Sequence, residues 1–395
     1  MKKILMTLIT FFSLLGAAYA DGHKEIKVGI ILGFTGPIES LTPDMASGAE
    51  LAFSEASQSG ELLGGSKLDV MRVDSTCVDS AAATSAAESL VSNGVVAIMG
   101  ADCSGVTGAV ATNVAVPNGI ALISPSATSP GLTSLEDNGV FFRTAPSDAR
   151  GGQILADITK DKGIKSVAIT YVNSDYGLGL ADVYKAAVEA HGITVTAMES
   201  HESDRADYSA DVGVLSSAGG DALAVLGYLD NAGGHLIEGS LDSGAFDTFV
   251  LSDGMIGDAL TERFGSDLDK SFGSMPGSLG EAAQLFKSVA EAGGINPSVY
   301  VGESYDAAAL IVLAMQAGNS SDKGSIVANV MSVANAPGEK IYAGELAKGL
   351  KLLADGKAVD YQGATDVTFT SVGEAEGAFI EKGISGGNWT DVAQR

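Results

Sequence analysis

A regular alternation of short apolar segments and alanine-rich stretches constrains the fold of this chain more than any other feature. Short apolar runs bounded by turn residues are typical of buried strands, and the stretches between them are long enough for helices. Strands and helices that alternate in this way form parallel βαβ units. The pattern predicts strands at Ile26–Leu32, Leu68–Asp74, Val95–Met99 and Ala121–Ile123, and helices at Met45–Ser57, Asp79–Ser92 (capped by Asp79) and Gly105–Val116.

The same alternation begins again after the loop Ser124–Arg150 and predicts a second lobe. Its predicted elements are the helices Gly152–Lys160, Leu178–His191, Ser209–Ser217 and Asp258–Phe264, and the strands Ser166–Val172, Thr194–Glu199, Ala222–Leu226 and Thr248–Leu251. The rest of the chain predicts helices at Gly280–Ala292, Ser304–Ala317 and Gly344–Ala354, and a hairpin at Thr365–Ile380. The fold class is therefore α/β, with two Rossmann-like doubly wound lobes. Because no Pro-rich or Gly/Ser linker separates them, we expect direct crossovers and a ligand cleft between the lobes.

The N-terminus has the pattern of a secretory signal peptide. Lys2 and Lys3 precede the apolar run Ile4–Leu15, and Ala18-Tyr19-Ala20 has the form of a signal-peptidase site. The apolar run is shorter than the roughly 20 residues of a membrane-spanning helix. We therefore expect cleavage near Ala20 and a periplasmic protein. It should diffuse freely, since no cysteine stands at the cleavage point for lipid attachment.

The charge of the chain excludes polyanionic partners. It has 49 acidic and 23 basic residues and a net charge of −26, which removal of the signal peptide deepens to −28. Nucleic acid and anionic membrane surfaces are poor partners for such a chain. We expect the acidic residues to lie on the solvated exterior. If they line the cleft instead, a cationic ligand becomes the better prediction.

The two cysteines, Cys77 and Cys103, each follow a predicted strand. Secreted proteins pair their thiols, and the ends of parallel strands meet at one edge of a sheet, so a single disulfide is the natural prediction. Two unpaired buried thiols are the alternative. A zinc site is less favoured, because no histidine or further cysteine lies between them at ligand spacing.

Motifs of catalysis are absent from the sequence. It contains no G-x-S-x-G, Walker, H-E-x-x-H or C-x-x-C motif. The segment Gly177-Leu178-Gly179 lacks the third glycine of a dinucleotide fingerprint, whose place Asp182 takes. The histidines are scattered, and we expect them on the surface or at helix ends: His23, His191, His201 and His235. The sequence thus predicts a protein that is not an enzyme and uses neither cofactor nor metal.

Polar residues follow several predicted strands and are the candidate binding residues. In the first lobe, Ser104 either caps its own helix or binds an anion there, and the loop Ser124–Pro130 offers hydroxyls and amides at the next strand end. Together these loops suit a carboxylate and leave carbonyls for an ammonium group. In the second lobe, Tyr176 and Tyr228 project from loops, and Asp253 either faces a cation or forms a turn before Gly254.

These residues, taken as a set, resemble those of a known family. The chain is similar over essentially all of its mature length to the periplasmic leucine/isoleucine/valine-type solute-binding proteins of ABC transporters, which have the type I periplasmic-binding fold. The matching segments are Ile26–Gly29, Thr35-Gly36-Pro37, Cys103-Ser104, Ser124–Thr128, Phe142-Arg143-Thr144, Tyr176-Gly177, Tyr228 and Asp253-Gly254, together with the spacing of the two cysteines.

The resemblance implies two lobes joined by three crossovers and a role for each binding residue. The expected lobes are residues 21–146 with 277–356, and residues 147–276 with 357–395. Ser104 and Thr128 would bind the α-carboxylate of the ligand, and Ser126, in the same loop as Ala127, would offer its carbonyl to the α-ammonium. Asp253 would pair with that ammonium, while Tyr176 and Tyr228 would wall the pocket. The resemblance also implies the Cys77–Cys103 disulfide.

Two residues depart from the leucine binders of the family. Asp253 is one methylene shorter than their glutamate, and Leu41 stands where they have a tyrosine. The resemblance implies a monomeric receptor for a small aliphatic or neutral amino acid, such as a branched-chain one, that delivers it to a membrane permease. The alternative is a binding protein or sensor of the same fold for an amide, urea or carboxylic acid.

Overall fold

The computed structural model describes residues 25–395, so the predicted signal peptide lies outside the described residues. The strands are β1 (Glu25–Leu32), β2 (Lys67–Asp74), β3 (Ala97–Gly100), β4 (Ala121–Ser124), β5 (Phe141–Arg143), β6 (Ser166–Val172), β7 (Thr194–His201), β8 (Ala222–Leu226), β9 (Phe249–Leu251), β10 (Phe272–Pro276), β11 (Glu339–Tyr342), β12 (Val359–Gly363), β13 (Phe379–Ser385) and β14 (Asn388–Gln394).

The α-helices connect these strands, and a π-helical turn, Ala111–Ala115, joins the third helix to the fourth. They are α1 (Thr42–Ser59), α2 (Ser80–Ser92), α3 (Ser104–Val110), α4 (Val116–Asn118), α5 (Asp148–Asp161), α6 (Asp175–Ala190), α7 (Ser209–Ala218), α8 (Gly234–Ser243), α9 (Asp258–Phe264), α10 (Glu281–Ala292), α11 (Val301–Ala317), α12 (Lys323–Ala334) and α13 (Leu346–Ala354).

A parallel five-stranded sheet forms the first lobe, in the order β2-β1-β3-β4-β5. Its inner strands β3 and β4 are buried along their whole length, which their continuous apolar sequence requires. The almost entirely buried helix α11 packs beside α1 in this lobe. Asp79 caps α2 as predicted, because its carboxylate accepts hydrogen bonds from the amides of Ala81 and Ala82.

A seven-stranded sheet forms the second lobe, in the order β14-β13-β10-β9-β8-β6-β7. Its strands β6 to β10 are parallel, whereas β13 and β14 are antiparallel additions at one edge. This arrangement and the first sheet confirm the predicted fold class of two doubly wound α/β lobes. The chain passes between the lobes at 144–147, 277–280 and 364–378.

The predicted hairpin at Thr365–Ile380 is present in a shorter form, in which Phe369 and Ala375 form an antiparallel bridge around a turn at Gly373 (φ 80°). The amide of Thr370 donates to Glu374, and the amide of Glu376 donates to Thr368. The returning arm also pairs with Arg143, and the longer hairpin, β13 and β14, follows it. The polar alternation of β14 gave no apolar signal from which to predict a strand.

The strand β12 departs from the expected division of the chain, which placed residues 357–395 in the second lobe. It pairs with β11, and Tyr361 donates a hydrogen bond of 2.7 Å to Asp306 of α11. Asp306 also accepts from the amides of Ala364 and Thr365, so this segment is fixed to the first lobe. We propose that the last part of the second lobe begins at β13.

A disulfide joins Cys77 to Cys103, with their Cα atoms 5.1 Å apart. The strands that precede the two cysteines are not neighbours, because β1 lies between β2 and β3. The loop after β2 therefore crosses the carboxyl end of β1 to reach the start of α3. The disulfide predicted from the sequence is confirmed, and it holds the residue next to Ser104.

Replacing both cysteines with serine is expected to lower the free energy of unfolding by about 2 to 4 kcal/mol, because the bridge closes a loop between residues 26 apart. Urea unfolding of the oxidised proteins measures the difference. Dithiothreitol should destabilise the wild type by a similar amount and leave the double variant unchanged. Equal midpoints for the oxidised wild type and the variant would contradict this role of the bridge.

Candidate ligand site between the lobes

A small cavity of about 20 Å³ lies between the lobes, at the carboxyl ends of strands from both sheets. Parallel sheets gather ligands at this edge. Of the residues predicted from the sequence, Ser104, Ser126, Tyr176, Tyr228 and Asp253 line it. The cavity holds little more than one water molecule in this conformation, so a ligand the size of an amino acid needs the lobes to separate and close around it.

Asp253 is a buried acid of the cavity and lies two residues after the end of β9. The hydroxyl of Tyr176 donates to its Oδ1 at 2.5 Å, and the hydroxyl of Tyr300 donates to its Oδ2. Burial raises the pKa of Asp253, and the two tyrosine hydroxyls oppose this by stabilising the carboxylate. Tyr228 stacks on Tyr176 with ring centres 5.2 Å apart. A carboxylate surrounded by aromatic rings is a good site for an ammonium group.

Tyr300 was missed by the sequence analysis. It precedes α11, so it belongs to a different lobe from Asp253, and its φ of 63° is rare for a bulky residue. It follows an irregular segment without periodic pattern, which left no signal from which to predict its position. Its hydroxyl donates a hydrogen bond to Asp253 directly across the cleft.

Asp148 is a second buried acid that the sequence analysis missed. It is the first residue of α5, and its Oδ2 is buried without a hydrogen-bond partner. Burial, and next the nearby charge of Asp253, raise its pKa well above the usual value. Two carboxyl groups this close favour a cation near them. The signal in the sequence was only its place shortly after Phe142-Arg143-Thr144.

The predicted binding loops of the first lobe face this acid pair. Ser104 does not cap α3, because its Oγ accepts from the amide of Ser129 at 3.1 Å. Ser126 lines the cavity and its hydroxyl donates to the carbonyl of Asp102. Ala127 and Thr128 are buried beside it and do not line the cavity. The Thr128 hydroxyl lies beside the carboxyl group of Asp148 and partly opposes the rise in the pKa of that acid.

Arg143 fixes the shape of this loop. Its buried guanidinium donates to the carbonyls of Ala127 and Ser129 at 3.0 and 2.9 Å. On its other side it donates to Thr133 at 2.8 Å and to Glu374 at 2.5 Å. The loop is therefore held from behind by one side chain, which also joins it to the third crossover.

Part of the wall of the ligand cavity is apolar. Ile38, Leu41 and Met45 line it, with Asp102 beside them. Asp102 is held by the amide of Gly33 at 2.5 Å and the hydroxyl of Ser75 at 2.8 Å. Burial raises its pKa. Leu41 makes this wall aliphatic.

The two lobes also meet at the mouth of the cleft. The amide of Ser40 donates to Asp230 at 2.8 Å, and the amide of Asp230 donates to the carbonyl of Pro37. These are contacts between loops, which can open without disturbing either sheet. Within residues 25–395, no cluster of His, Cys, Asp and Glu could hold a metal, and no helix is long and apolar enough to cross a membrane.

Glu303, near the start of α11, is expected to make stability depend on pH. Burial raises its pKa to about 8, so the folded state keeps a proton that the unfolded state loses from about pH 4.5. The stabilisation that this bound proton gives the folded state is complete below about pH 4.5 and is lost as the pH rises to about 8. Glu303→Gln should therefore raise the melting temperature increasingly between pH 5 and pH 9. Thermal unfolding measures the difference, with the exposed Glu291→Gln as control, and a constant difference for Glu303→Gln would contradict the account.

Two α/β lobes with a cavity between them are the architecture of the type I periplasmic-binding fold. Solved structures share the fold. The branched-chain amino acid transporter substrate binding protein LivJ of Streptococcus pneumoniae, in complex with isoleucine, has a TM-score of 0.78 at 22% identity, over 94% of this chain and 100% of that chain. A solute binding protein of R. palustris, in complex with benzoate, has a TM-score of 0.75 at 18% identity, over 94% and 96% of the two chains.

The chain belongs to the periplasmic binding protein family, whose model matches residues 25–344. The Leu/Ile/Val-binding protein homolog 1 of Brucella melitensis is 30% identical over 334 residues, which are 82% of this chain and 86% of that protein. The resemblance stated from the sequence is thereby confirmed. The chain is a substrate-binding protein of the Leu/Ile/Val type, a class of solute-binding proteins that implies a location outside the cytoplasm.

Proposed function

We propose that the protein captures a small amino acid with an aliphatic or neutral side chain by closing its two lobes around it. The observation that carries the proposal is the buried Asp253, whose carboxylate joins Tyr176 of one lobe to Tyr300 of the other. An α-ammonium group placed against this carboxylate would add a charge-assisted hydrogen bond. The relatives of the Leu/Ile/Val type support an amino acid as the ligand.

The two ends of the site suit the other parts of such a ligand. The hydroxyls of Ser104 and Thr128 and the amides of their loops would bind the α-carboxylate, and the carbonyl of Ser126 would accept from the ammonium. The apolar end formed by Ile38 and Leu41 would receive an aliphatic side chain. Hydrophobic burial there adds about 0.8 kcal/mol for each methylene, which favours branched-chain side chains over alanine.

A carboxylic acid without an amino group is a weaker candidate. Asp102 and Asp253 line the cavity, and no lysine, arginine or histidine of the described residues does so. An anion such as benzoate would meet these carboxyl groups without a compensating cation. An amide or urea ligand has no positive charge to pair with Asp148 and Asp253. Amides and aromatic acids therefore serve as comparison ligands in the screen described next.

We further propose that the protein acts in the periplasm as a monomer and delivers its ligand to the permease of an ABC transporter. The match to the family supports this role. A thermal-shift screen of the ligand-stripped protein against amino acids, amides and aromatic acids tests the ligand class. Bound ligands raise the melting temperature in proportion to RT ln(1 + [L]/Kd). We expect the largest shifts with aliphatic amino acids; shifts confined to amides or aromatic acids would contradict the proposal.

Ser104→Ala is expected to weaken amino-acid binding about tenfold, because it removes one hydroxyl from the ligand carboxylate. Ser80→Ala is a matched control, since Ser80 is the exposed first residue of α2 as Ser104 is the first residue of α3. Calorimetric titration should give the wild-type affinity for the control. Wild-type affinity for Ser104→Ala would remove this hydroxyl from the site.

A further inference from the structure

A second and larger compartment adjoins the ligand cavity between the lobes. It has a volume of about 400 Å³, against about 20 Å³ for the ligand cavity. Leu41 and Tyr300 line both spaces, so these two side chains form the partition between them. Residues from both lobes form its walls, among them Ile256 and Trp389 of the second lobe and Phe286 of the first. It therefore belongs to the part of the molecule that closes on a ligand.

Glu303 is the buried acid of this compartment. The residue is 4% exposed and lines the compartment. In the described part of the chain, no cation and no donor from another residue meets its carboxyl group; only its own amide does so. A buried carboxyl group without a partner is costly, and a ligand that brings a hydrogen-bond donor or a positive charge relieves that cost.

The walls of the compartment are mixed, and apolar side chains make up part of them. Leu41, Ile256 and Phe286 contribute hydrocarbon surface, and Trp389 is fixed by a hydrogen bond of 2.9 Å from its ring nitrogen to the carbonyl of Gly257. Asp44 adds a second, half-buried acid. The compartment thus combines hydrocarbon surface with polar and acidic side chains, which suits an aliphatic stem that ends in a cation.

Two basic residues, Lys287 and Lys382, line the compartment as well. Lys382 is paired with Asp391 on the antiparallel edge of the second lobe. Lys287 lies exposed on α10. Neither lysine forms an ion pair with Glu303, so its carboxyl group remains available to a cationic ligand, which would favour its ionised form.

We propose that this compartment is a second subsite, in which Glu303 binds the side-chain ammonium of an extended amino acid such as lysine. The proposal rests on the proposed function and widens it. Small aliphatic amino acids occupy the first cavity alone, and longer amino acids with a cationic end pass Leu41 and Tyr300 to reach Glu303. The proposal follows from an unpaired buried acid next to the cavity in which we propose that the α-ammonium group binds.

L-Lysine and L-norleucine form a matched pair of ligands, since their side chains share a four-carbon stem and only lysine carries the terminal ammonium. Titration calorimetry of both with the ligand-stripped full chain, and with its Glu303→Gln variant, tests the subsite. Glu303→Gln should weaken lysine binding at least about tenfold, the effect of losing a charged hydrogen-bond partner. Norleucine and leucine binding should stay within about twofold, since neither contacts Glu303.

The outcomes separate the subsite from the proposed function. Lysine affinity unchanged by Glu303→Gln, or leucine binding without lysine binding in the wild type, would overturn the subsite alone. Failure of all three amino acids to bind the wild type would overturn both proposals. Asp44→Asn provides a second variant, expected to weaken lysine more than norleucine. It keeps the test decisive if Glu303→Gln does not fold.

Discussion

Replacing Asp253 with asparagine is expected to weaken amino-acid binding at least about 30-fold, because truncating a buried charged contact costs roughly 2 to 5 kcal/mol. Asparagine keeps an oxygen that accepts from Tyr176 or Tyr300, so the melting temperature of the ligand-free protein should change little. Titration calorimetry gives the affinity and thermal unfolding gives the stability. The two measurements together separate a binding role from a structural one.

Asp182→Asn is the matched control, because Asp182 is an exposed aspartate of α6 in the same lobe. It should bind with wild-type affinity. If Asp253→Asn also bound an amino acid with wild-type affinity, the carboxylate would not be the ammonium partner. The tyrosine pair on Asp253 would then be a purely structural contact between the lobes.

Replacing Arg143 with methionine is expected to lower the free energy of unfolding by about 3 to 5 kcal/mol, the usual effect of removing one partner from a buried ion pair. Arg143 is 1% exposed, and the change leaves Glu374 without its cation. It also leaves the carbonyls of Ala127 and Ser129 without their donor. Ligand affinity should fall as well, since these residues flank Thr128. Urea unfolding and calorimetric titration measure the two effects.

Arg72→Met provides the control for Arg143→Met. Arg72 pairs with Glu50 through two hydrogen bonds, yet both side chains are more than one-third exposed. Exposed pairs contribute about 0 to 1 kcal/mol, so this variant should stay close to wild type. Equal effects of the two substitutions would show that burial of Arg143 contributes nothing to its stabilising role.

The sequence predicted the two sheets well, because parallel strands buried on both faces need continuous apolar segments. The strands β1, β6 and β8 were predicted to within one residue of their observed bounds. Short or polar strands lack this signal, which is why β11 and β14 were missed. The helix α12 was missed for a different reason, because it follows α11 rather than a predicted strand. The helix α8 lies between β8 and β9, where the alternation requires a helix, but Gly233 and Gly234 at its start are poor helix formers and masked it.

The candidate site was predictable only where residues follow strands. Ser104 and Asp253 follow β3 and β9 closely, so the topology of a parallel sheet places them in the cleft. Asp148 begins a helix that follows a crossover, and Tyr300 ends the irregular loop between α10 and α11; in neither place does a periodic pattern indicate which side chain turns inward. Their positions depend on how the two lobes meet, which a single sequence does not encode locally.

The positions of the acidic residues bear on the charge of the ligand. We expected the acids on the exterior, yet Asp102, Asp148, Asp253 and Glu303 are buried around the cleft. Acids that line a cleft favour a ligand with a positive charge. This supports an amino-acid ligand at the first cavity and a cationic side chain at the second.

Calorimetric titration of the refolded, ligand-stripped protein against the common amino acids tests the central claim most directly. The account predicts one bound molecule per chain for aliphatic amino acids, and loss of that binding in Asp253→Asn. Absence of binding for every amino acid, with binding of an amide or an aromatic acid instead, would contradict it.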